Sequence, residues 1–369
     1  MTGNEEAEGP SVPVIGDGAV SLSLVIPAYN EASRFQEGVR RLRTAIEAGA
    51  VAPGSTEFVV VDDGSADDTT TVARALFASF PHVRHVRLPE NRGKGGAVRA
   101  GVAVAAAPLI AFADADMAID PAQTPQFVDA LARYDLAIGA RAATGSSVDR
   151  TSLKRSIMNR AFNQLVNALT HVSLADTQCG FKAFRAPAAK LLFHCSVTER
   201  FAFDVEILSL ARRFGLPIAE IPVQWLRVKG SRIRPWTDAR SMARDVYRAG
   251  RSENAGPPVP TLAVKLPAGG NGSDDIAALP ALRSGLAPGL TILGGGERFR
   301  VLCPLTTEPE IEMVAMRIGT LCSGAAIERT TTTVAQLCTL APLSTSGDSP
   351  PAGIVPCPTP SIAGKRLRD

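Results

Sequence analysis

The segment EFVVVDDGSADDTTTVARALFASFPHVRHVRL, residues 57–88, predicts a strand, a helix and a second strand in direct succession. Residues 57–61 form a short, mostly apolar run typical of a buried strand. Residues 67–79 have helical periodicity, and residues 83–88 return to a strand pattern. Two strands that are joined by a helix run parallel in one sheet. This segment therefore predicts an α/β fold with a parallel central sheet.

The same alternation continues on both sides of this segment. LSLVIP at 22–27 predicts a strand, and residues 31–48 predict the helix that follows it. Residues 94–106 predict another helix, and LIAFA at 109–113 predicts the strand after that helix. A further strand is predicted at 135–139. In parallel sheets ligands bind at the carboxyl ends of the strands, so the residues just after each strand are the candidate functional residues.

Composition limits the class of protein. The chain has 369 residues, of which 45% are hydrophobic and 20% charged, and these fractions exclude a collagen, a coiled coil and a wholly disordered chain. Its 39 basic and 36 acidic residues nearly cancel, which argues against bulk nucleic acid as the main partner. The six cysteines form no C-x-x-C pair, so free thiols are expected rather than a zinc ribbon.

We predict three regions: a disordered N-terminus at 1–20, an α/β domain at 21–250, and a low-complexity, mostly disordered tail at 251–369. The tail is punctuated by Pro and Gly pairs and contains one aromatic residue, Phe299, too few to anchor an ordinary core. No apolar run reaches the roughly 18 residues that cross a bilayer, and the acidic N-terminus does not resemble a signal peptide. We therefore expect a cytoplasmic protein that contacts a membrane at most peripherally.

The pair Asp114 and Asp116 follows the apolar strand at 109–113. Two carboxylates at a strand end can share a divalent cation that bridges a diphosphate. Taken alone, the D-x-D pattern also fits a solvated turn that caps a helix. A second acidic loop, DDGS at 62–65, could accept hydrogen bonds from a base or a ribose, or form an Asx turn.

A glycine-rich loop, NRGKGG at 91–96, precedes the predicted helix at 94–106. Backbone N–H groups and the helix dipole favour anions at such a helix start. The spacing is not that of a P-loop. The loop is either an anion site or a surface turn.

Six motifs in order resemble the family 2 inverting glycosyltransferases of the GT-A fold, and within them the dolichyl-phosphate or polyprenyl-phosphate β-glucosyltransferases and the dolichol-phosphate mannosyltransferases. The motifs are VIPAYNE (25–31), VVDDGS (60–65), NRGKGGAVRAG (91–101), ADADM (113–117), TQCGFKAF (177–184) and KGSR (229–232). The resemblance covers residues 21 to about 250, with a nucleotide-sugar half at 21–120 and an acceptor half at 121–250. It does not cover the tail.

The resemblance implies a role for particular residues. It implies that Asp114 and Asp116 bind Mg²⁺ or Mn²⁺. It also implies three catalytic candidates, which are Asp116, Arg141 and Arg232. Relatives of the mannosyl type have a Gln after the acidic motif where this chain has Ala118, which leaves a third protein ligand open and favours the glucosyl branch. The residues implied to bind the nucleotide sugar are Pro27, Tyr29, Glu31, Asp62, Lys94, Asp114 and Ala115.

The acceptor phosphate is implied to bind to Arg155, Arg227, Ser231 and Arg232. Residues 225–251 carry a local excess of positive charge, and Arg240, Arg244 and Arg248 recur every four residues, which would place them on one helix face. Such a basic, aromatic-containing segment favours an anionic membrane surface. Nucleic-acid binding and a solvated face without a partner are the alternatives.

The function implied is the transfer of a hexose, with glucose from UDP-glucose favoured, to a polyprenyl or dolichyl phosphate at the cytoplasmic face of a membrane, either directly or through a membrane-protein partner. The alternatives are a GDP-mannose-dependent enzyme, a family 2 transferase with a soluble or polysaccharide acceptor, and a sugar-nucleotide-binding scaffold without turnover. A Rossmann dehydrogenase is disfavoured because residues 27–31 contain no G-x-G-x-x-G.

Overall fold

The structure is a computed structural model of the chain. It describes nearly all of the first 226 residues apart from 1–19 and 149–173, and short segments beyond. The described residues are 20–141, 143, 146–148, 174–200, 202–214, 216–226, 259–265, 291–295, 298–304, 311–312, 314–316, 326–332 and 355–356.

Residues 21–120, the half that the resemblance predicts to bind the nucleotide sugar, have the predicted strand and helix alternation. The strand Leu22–Ala28 pairs in parallel with Thr56–Asp62 and with Leu109–Ala113, and Thr56–Asp62 pairs in parallel with Val83–Arg87. All seven elements predicted for this half are present, with ends that differ from the prediction by at most two residues. They are β1 (Leu22–Ala28), α1 (Ala32–Glu47), β2 (Thr56–Asp62), α2 (Thr69–Phe77), β3 (Val83–Arg87), α3 (Lys94–Val104) and β4 (Leu109–Ala113).

The acceptor half extends the same sheet. Its described elements are a 3₁₀ turn (Pro121–Gln123), α4 (Thr124–Ala130), β5 (Leu136–Ala140), β6 (Ser147–Val148), β7 (Phe181–Arg185), α5 (Ala186–Cys195), α6 (Phe203–Arg213), β8 (Ile218–Pro222) and β9 (Gln224–Trp225). Strand β7 inserts antiparallel between β4 and β5, and β5 pairs parallel with β8. The eight-stranded sheet, with a short strand β14 (Val355–Pro356) at its edge, has the order β14-β8-β5-β7-β4-β1-β2-β3. The expected α/β fold with a mostly parallel sheet is confirmed.

The sheet buries an apolar layer on each face. Along β1, Val25 packs with the α3, α5 and α6 side, while Leu24 and Ile26 pack with the α1, α2 and α4 side. This two-residue alternation is what a strand covered by helices on both faces requires. Within the described residues, no helix is both long and apolar enough to cross a membrane.

The tail contains a second sheet. Four antiparallel strands, β10 (Val259–Lys265), β11 (Thr291–Gly295), β12 (Arg298–Leu302) and β13 (Ala326–Thr332), lie in the order β11-β12-β10-β13. Val259 and Leu302 are fully buried in the same core cluster as α3, α5 and α6. These strands lie in the tail, which the sequence analysis predicts to be low-complexity and mostly disordered or loosely folded. Runs such as VPTLAVK and AIERTTT are rich in β-branched residues, which can pair into a sheet without aromatic anchors.

Candidate active site

The loops after β1 and β2 are joined by direct hydrogen bonds. The backbone N–H of Asn30 donates to Ser65 Oγ at 2.9 Å, and the Asn30 Oδ1 accepts from the Ala66 backbone at 2.8 Å. The backbone N–H of Glu31 donates to Thr69 Oγ1 at 2.8 Å. Asn30 has a φ of 51°, a left-handed conformation that Asn tolerates better than most residues. The VIPAYNE and DDGS motifs therefore form one surface at the carboxyl edge of the sheet.

Asp63 holds the glycine-rich loop against this surface. Its carboxylate accepts hydrogen bonds from the backbone N–H groups of Arg92 and Gly93, both at 2.8 Å, and from Asn91 Nδ2 at 3.0 Å. Burial raises the pKa of Asp63, and the two backbone donors oppose that shift. Three loops predicted separately from the sequence are thus tied together.

Asp62, the predicted partner of the base or ribose, is buried and already bonded to protein groups. It accepts from the Ser65 backbone N–H at 2.8 Å and from the Thr70 hydroxyl, and it lies 3.3 Å from Arg87 Nη1. Burial alone would raise the pKa of Asp62, but the hydrogen bonds from Ser65 and Thr70 and the charge of Arg87 lower it overall. Asp62 is therefore an ionised group at the site.

The other residues predicted for the nucleoside pocket differ in how far they are exposed to solvent. Pro27 is buried within β1, whereas the Tyr29 side chain is 42% exposed. Glu31 is partly buried, and its Oε1 lies 3.0 Å from Arg34 Nη1. An exposed aromatic ring beside polar loops is a surface on which a base can stack.

Each carboxylate of the D-x-D pair is bound by one basic side chain. Asp114 Oδ1 lies 2.6 Å from Lys94 Nζ, and Asp116 Oδ2 contacts Arg34 Nη2. The second carboxylate oxygen of Asp116 accepts the Ala118 N–H at 3.1 Å. The structure therefore brings Asp114, Asp116 and Lys94 together, as the sequence predicts, and adds Arg34, which the sequence analysis did not identify.

Close backbone packing fixes this acidic loop. Ala115 is buried, and a Cβ on Gly38 of α1 would lie 1.9 Å from the Ala115 carbonyl oxygen. A Cβ on Gly180 of the TQCGFKAF motif would lie 2.1 Å from Asp114 Oδ2. Met117 has a φ of 46°, which is strained for a long side chain and is a conformation found often at functional sites. The loop's shape thus depends on two glycines and one strained residue.

The donor set fits a divalent cation that also binds a diphosphate. Burial and the neighbouring charge of Asp114 raise the pKa of Asp116, so a positive ion between these carboxylates would be favourable. In the described part of the chain no three His, Cys, Asp or Glu side chains cluster as a complete metal site. Mg²⁺ commonly binds through one or two carboxylates and substrate phosphates, and the pair Asp114 and Asp116 matches that number.

The glycines of the NRGKGG motif serve packing. A Cβ on Gly95 would lie 2.6 Å from Phe203 Cβ and 2.7 Å from the Thr198 carbonyl oxygen. The Gly96 N–H donates to the Glu199 carbonyl at 3.0 Å. The sequence analysis weighed an anion site against a surface turn. The structure shows that at least one amide of this helix start is bonded to protein, because residues 198–200 lie directly against it.

Arg141, one of the catalytic candidates implied by the resemblance, is paired with Asp176. Arg141 Nε lies 2.6 Å from Asp176 Oδ2 and Nη2 lies 3.0 Å from Oδ1. Burial would raise the pKa of Asp176, but Arg141 holds it below its usual value. The sequence analysis missed Asp176, whose only local signal is its place one residue before TQCGFKAF.

A second buried ion pair, Lys182 with Asp204, lies beneath the acidic loop. Lys182 Nζ is 2.6 Å from Asp204 Oδ1. Within FAFDVEIL (residues 201–208), the sequence predicts for Asp204 and Glu206 either a role in positioning substrate or the acidic side chains that a helix N-terminus favours. Both are buried in the first turn of α6, and Glu206 accepts the backbone N–H groups of Val197 and Thr198. Lys182 was not identified, although FKAF is part of a quoted motif.

The predicted acceptor residues lie outside the described residues. These are Arg155, Arg227, Ser231 and Arg232, together with the predicted basic face of Arg240, Arg244 and Arg248. Their roles therefore stay predictions from the sequence.

Comparison with known proteins gives the family. Residues 23–193 match the profile described as Glycosyl transferase family 2. Dolichyl-phosphate beta-glucosyltransferase from Drosophila melanogaster is 38% identical over 243 residues, covering 62% of this chain and 74% of that protein. The human protein of the same name is 35% identical over 256 residues, covering 66% and 79%. A crystal structure of glucosyl-3-phosphoglycerate synthase from Mycobacterium tuberculosis with phosphoglyceric acid is 21% identical with a TM-score of 0.48, covering 63% and 79%.

The resemblance inferred from the six motifs is thereby confirmed, and with it the GT-A fold class and an enzymatic function. The chain belongs to glycosyl transferase family 2 and is a glycosyltransferase.

Proposed function

We propose that the protein is an inverting, metal-dependent hexosyltransferase that moves glucose from UDP-glucose to a dolichyl or polyprenyl phosphate. The acidic loop carries this proposal, because Asp114 and Asp116 lie at a sheet edge with Lys94 bound to one of them and Arg34 to the other. The name shared by the fly and human relatives supports the lipid-phosphate acceptor and the glucosyl group.

In the proposed reaction, a phosphate oxygen of the acceptor attacks the anomeric carbon of the sugar. A bond forms between that oxygen and carbon while the bond from the anomeric carbon to the diphosphate breaks, and its electron pair leaves with the nucleoside diphosphate. A phosphate monoester is already anionic at neutral pH, so no side chain has to remove a proton. The protein's task is to align the acceptor and to neutralise the leaving group.

The described residues divide this task. Asp114 and Asp116 would hold Mg²⁺ or Mn²⁺, which supplies positive charge to the diphosphate when bound. Lys94, at the start of α3, adds a second positive charge on the same side. Arg141, fixed by Asp176, would face the phosphates. The nucleoside would lie on the surface formed by the loops after β1 and β2, which contains the residues Pro27, Tyr29, Glu31 and Asp62.

The acceptor site is proposed from the sequence. Arg155, Arg227, Ser231 and Arg232 would bind the acceptor phosphate, and the basic segment at 225–251 would approach an anionic membrane surface at its cytoplasmic face. A membrane-protein partner is the alternative means of approach. Ala118, which offers no metal ligand in its side chain, favours glucose over mannose by resemblance.

The test is transfer of labelled sugar from UDP-glucose and, separately, from GDP-mannose to polyprenyl phosphate, with Mg²⁺ or Mn²⁺ and with or without chelator. We expect an organic-extractable product from UDP-glucose that disappears with chelator. Product from GDP-mannose alone would replace the donor assignment. Metal-dependent loss of donor without a lipid product would indicate a soluble acceptor and contradict the lipid assignment.

The acceptor site has its own test. Arg232→Ala should raise the KM for polyprenyl phosphate about tenfold or more and leave the KM for UDP-glucose nearly unchanged, because hydrogen bonds to a charged group are lost only on the acceptor side. Arg133→Ala is the matched control, since Arg133 is exposed and precedes β5 at the opposite edge of the sheet. An unchanged acceptor KM would remove Arg232 from the site.

A further inference from the structure

Two ion pairs lie with their ammonium groups near the ring of Phe112. Lys94 Nζ lies 2.6 Å from Asp114 Oδ1, and Lys182 Nζ lies 2.6 Å from Asp204 Oδ1. The two ammonium groups lie 5.6 Å and 5.5 Å from the centroid of the Phe112 ring. The cluster therefore contains two cations and two anions near one aromatic ring, and its formal charge is zero.

The lower pair of this cluster is sealed inside the protein. The Lys182 side chain is 0% exposed and that of Asp204 is 6% exposed, whereas Asp114 is 38% exposed. Lys182 Nζ also donates to the Cys179 carbonyl at 2.9 Å. Burying two charges is unfavourable unless each is paired, so removing one leaves the other as a strongly attracting buried charge.

Lys94 is a cation that could respond to such a charge. Burial disfavours the charged form of Lys94, but Asp114 and, after it, Asp204 raise its pKa above the usual range. Lys94 also lies 5.8 Å from the ring of Phe203, the residue before Asp204. Asp114 and Asp204 are thus two carboxylates that both attract one ammonium group, and only Asp204 has Lys182 as a close partner.

We propose that Lys182 is a positioning residue that neutralises Asp204 and thereby keeps Lys94 on Asp114, at the open edge of the site. Without the charge of Lys182, Asp204 draws Lys94 inward and leaves Asp114 without its cation. The consequence for metal and diphosphate binding rests on the proposed function. The position of Lys94 itself does not.

The direct test is the position of Lys94 in metal-free crystal structures of the full chain. Lys182→Gln removes the charge but keeps hydrogen-bond donors for Asp204 and the Cys179 carbonyl. In this variant we expect Lys94 Nζ within ion-pair distance of Asp204. In the double variant Lys182→Gln/Asp204→Asn we expect Lys94 back on Asp114, because the competing charge is gone. Lys94 on Asp114 in the single variant, or away from it in the double variant, overturns the proposal.

Metal binding gives a second readout that a loosened fold would not reproduce. With Mn²⁺ followed by electron paramagnetic resonance, Lys182→Gln should bind Mn²⁺ alone about fivefold more tightly than the wild type, because Asp114 has lost a competing cation. The same variant should bind UDP in the presence of Mn²⁺ about fivefold more weakly, because Lys94 no longer reaches the diphosphate. The double variant should restore both values. If the affinity for Mn²⁺ alone and the affinity for UDP with Mn²⁺ change in the same direction, the proposal is contradicted.

Failure of the proposed function is separable from failure of this inference. If the wild type binds no Mn²⁺ even with UDP, the metal assignment is wrong, and the crystal structures still decide where Lys94 lies. If Lys182→Gln does not fold, Asp114→Asn provides the test at a partly exposed position. With Lys182 in place, Lys94 should then stay more than ~4 Å from Asp204, beyond ion-pair distance. An ion pair between Lys94 and Asp204 in that variant overturns the proposal.

Discussion

The Arg141 guanidinium and the Asp176 carboxylate form a two-point contact that fixes the plane of the guanidinium group. Nε and Nη2 donate to the two carboxylate oxygens, and the Arg141 backbone N–H donates to Oδ2 at 3.2 Å. The contact uses one edge of the guanidinium, and Nη1 takes no part in it. Asp176 therefore holds Arg141 in a fixed orientation at the end of β5, as the proposed contact of Arg141 with the phosphates requires.

Asp176→Asn should weaken both stability and catalysis. The amide cannot accept two charge-assisted hydrogen bonds, so we expect the free energy of unfolding to fall by about 1–3 kcal/mol. Because the guanidinium is no longer held in one plane, kcat should fall about tenfold or more while the KM for the acceptor changes less. Urea unfolding and steady-state kinetics measure these effects. Asp129→Asn, at an exposed aspartate of α4, is the matched control.

The contribution of Asp176 should depend on pH with a definite sign. Its pKa is lower in the folded protein than in the unfolded chain, so the ionised form is favoured by folding. The stability difference between wild type and Asp176→Asn is then complete above the unfolded pKa of about 3.9 and is lost as pH falls through the folded pKa. Unfolding measured from pH 7 downward should show this difference shrink in acid. A difference that grows in acid would contradict it.

The sequence predicted what depends on local pattern. The strands at 22–27 and 109–113 are apolar runs bounded by polar loops, so their positions and the Asp114 and Asp116 pair at a strand end follow directly. The resemblance placed Lys94 and Arg141 near the same site. The positions of the strands can be predicted from hydrophobic periodicity, because the periodicity reflects which face of each element is buried.

The pairs inside the site could not be predicted in this way. Asp176 is 35 residues from Arg141, and Asp204 is 22 residues from Lys182. These contacts form because β7 inserts antiparallel between β4 and β5, a pairing that no local pattern specifies. A charged residue in an apolar segment, such as Lys182 in FKAF, indicates a buried partner without identifying it.

Asp116→Asn should abolish metal-dependent transfer while leaving the fold intact. Burial and Asp114 already disfavour the ionised form of Asp116, so a neutral amide should change the free energy of unfolding by only about 1 kcal/mol. Loss of a metal ligand removes several kcal/mol of transition-state stabilisation, which corresponds to a fall of about 10³-fold in rate. Transfer assays and thermal unfolding with and without Mn²⁺ measure both.

Asp129→Asn serves as the control for this variant as well, because it removes one exposed acidic charge from α4, beside the first residues of β1 and β4 and away from the acidic loop. Its turnover and its stabilisation by Mn²⁺ should equal those of the wild type. Near-normal turnover by Asp116→Asn would contradict the metal assignment. A rise in the unfolding temperature of Asp116→Asn on adding Mn²⁺ that equals the rise in the wild type would also contradict it.

Leu302→Ala should destabilise the glycosyltransferase domain, although Leu302 lies far beyond the matched family region. Leu302 is fully buried in the core cluster that contains α5 and α6. Truncation of a buried Leu leaves a cavity and costs about 2–5 kcal/mol. Met316→Ala, at a side chain that is 73% exposed, should cost far less. Equal unfolding midpoints for Leu302→Ala and wild type would show that this sheet does not support the core.

Gly95→Ala and Gly54→Ala should change stability in opposite directions. A Cβ on Gly95 would lie within 3.0 Å of Phe203 Cβ, the Thr198 carbonyl oxygen and the Glu199 carbonyl oxygen, two of which are backbone atoms that cannot move aside. A Cβ on Gly54 would meet nothing within 4 Å. We expect Gly95→Ala to lower the free energy of unfolding by about 1–3 kcal/mol and Gly54→Ala to raise it by about 0.4–1 kcal/mol.

Because Lys94 adjoins Gly95, Gly95→Ala should also raise the KM for the donor, which Gly54→Ala should leave unchanged. If both variants unfold at the same urea concentration, the close packing of α3 on Thr198, Glu199 and Phe203 is not what requires glycine at 95.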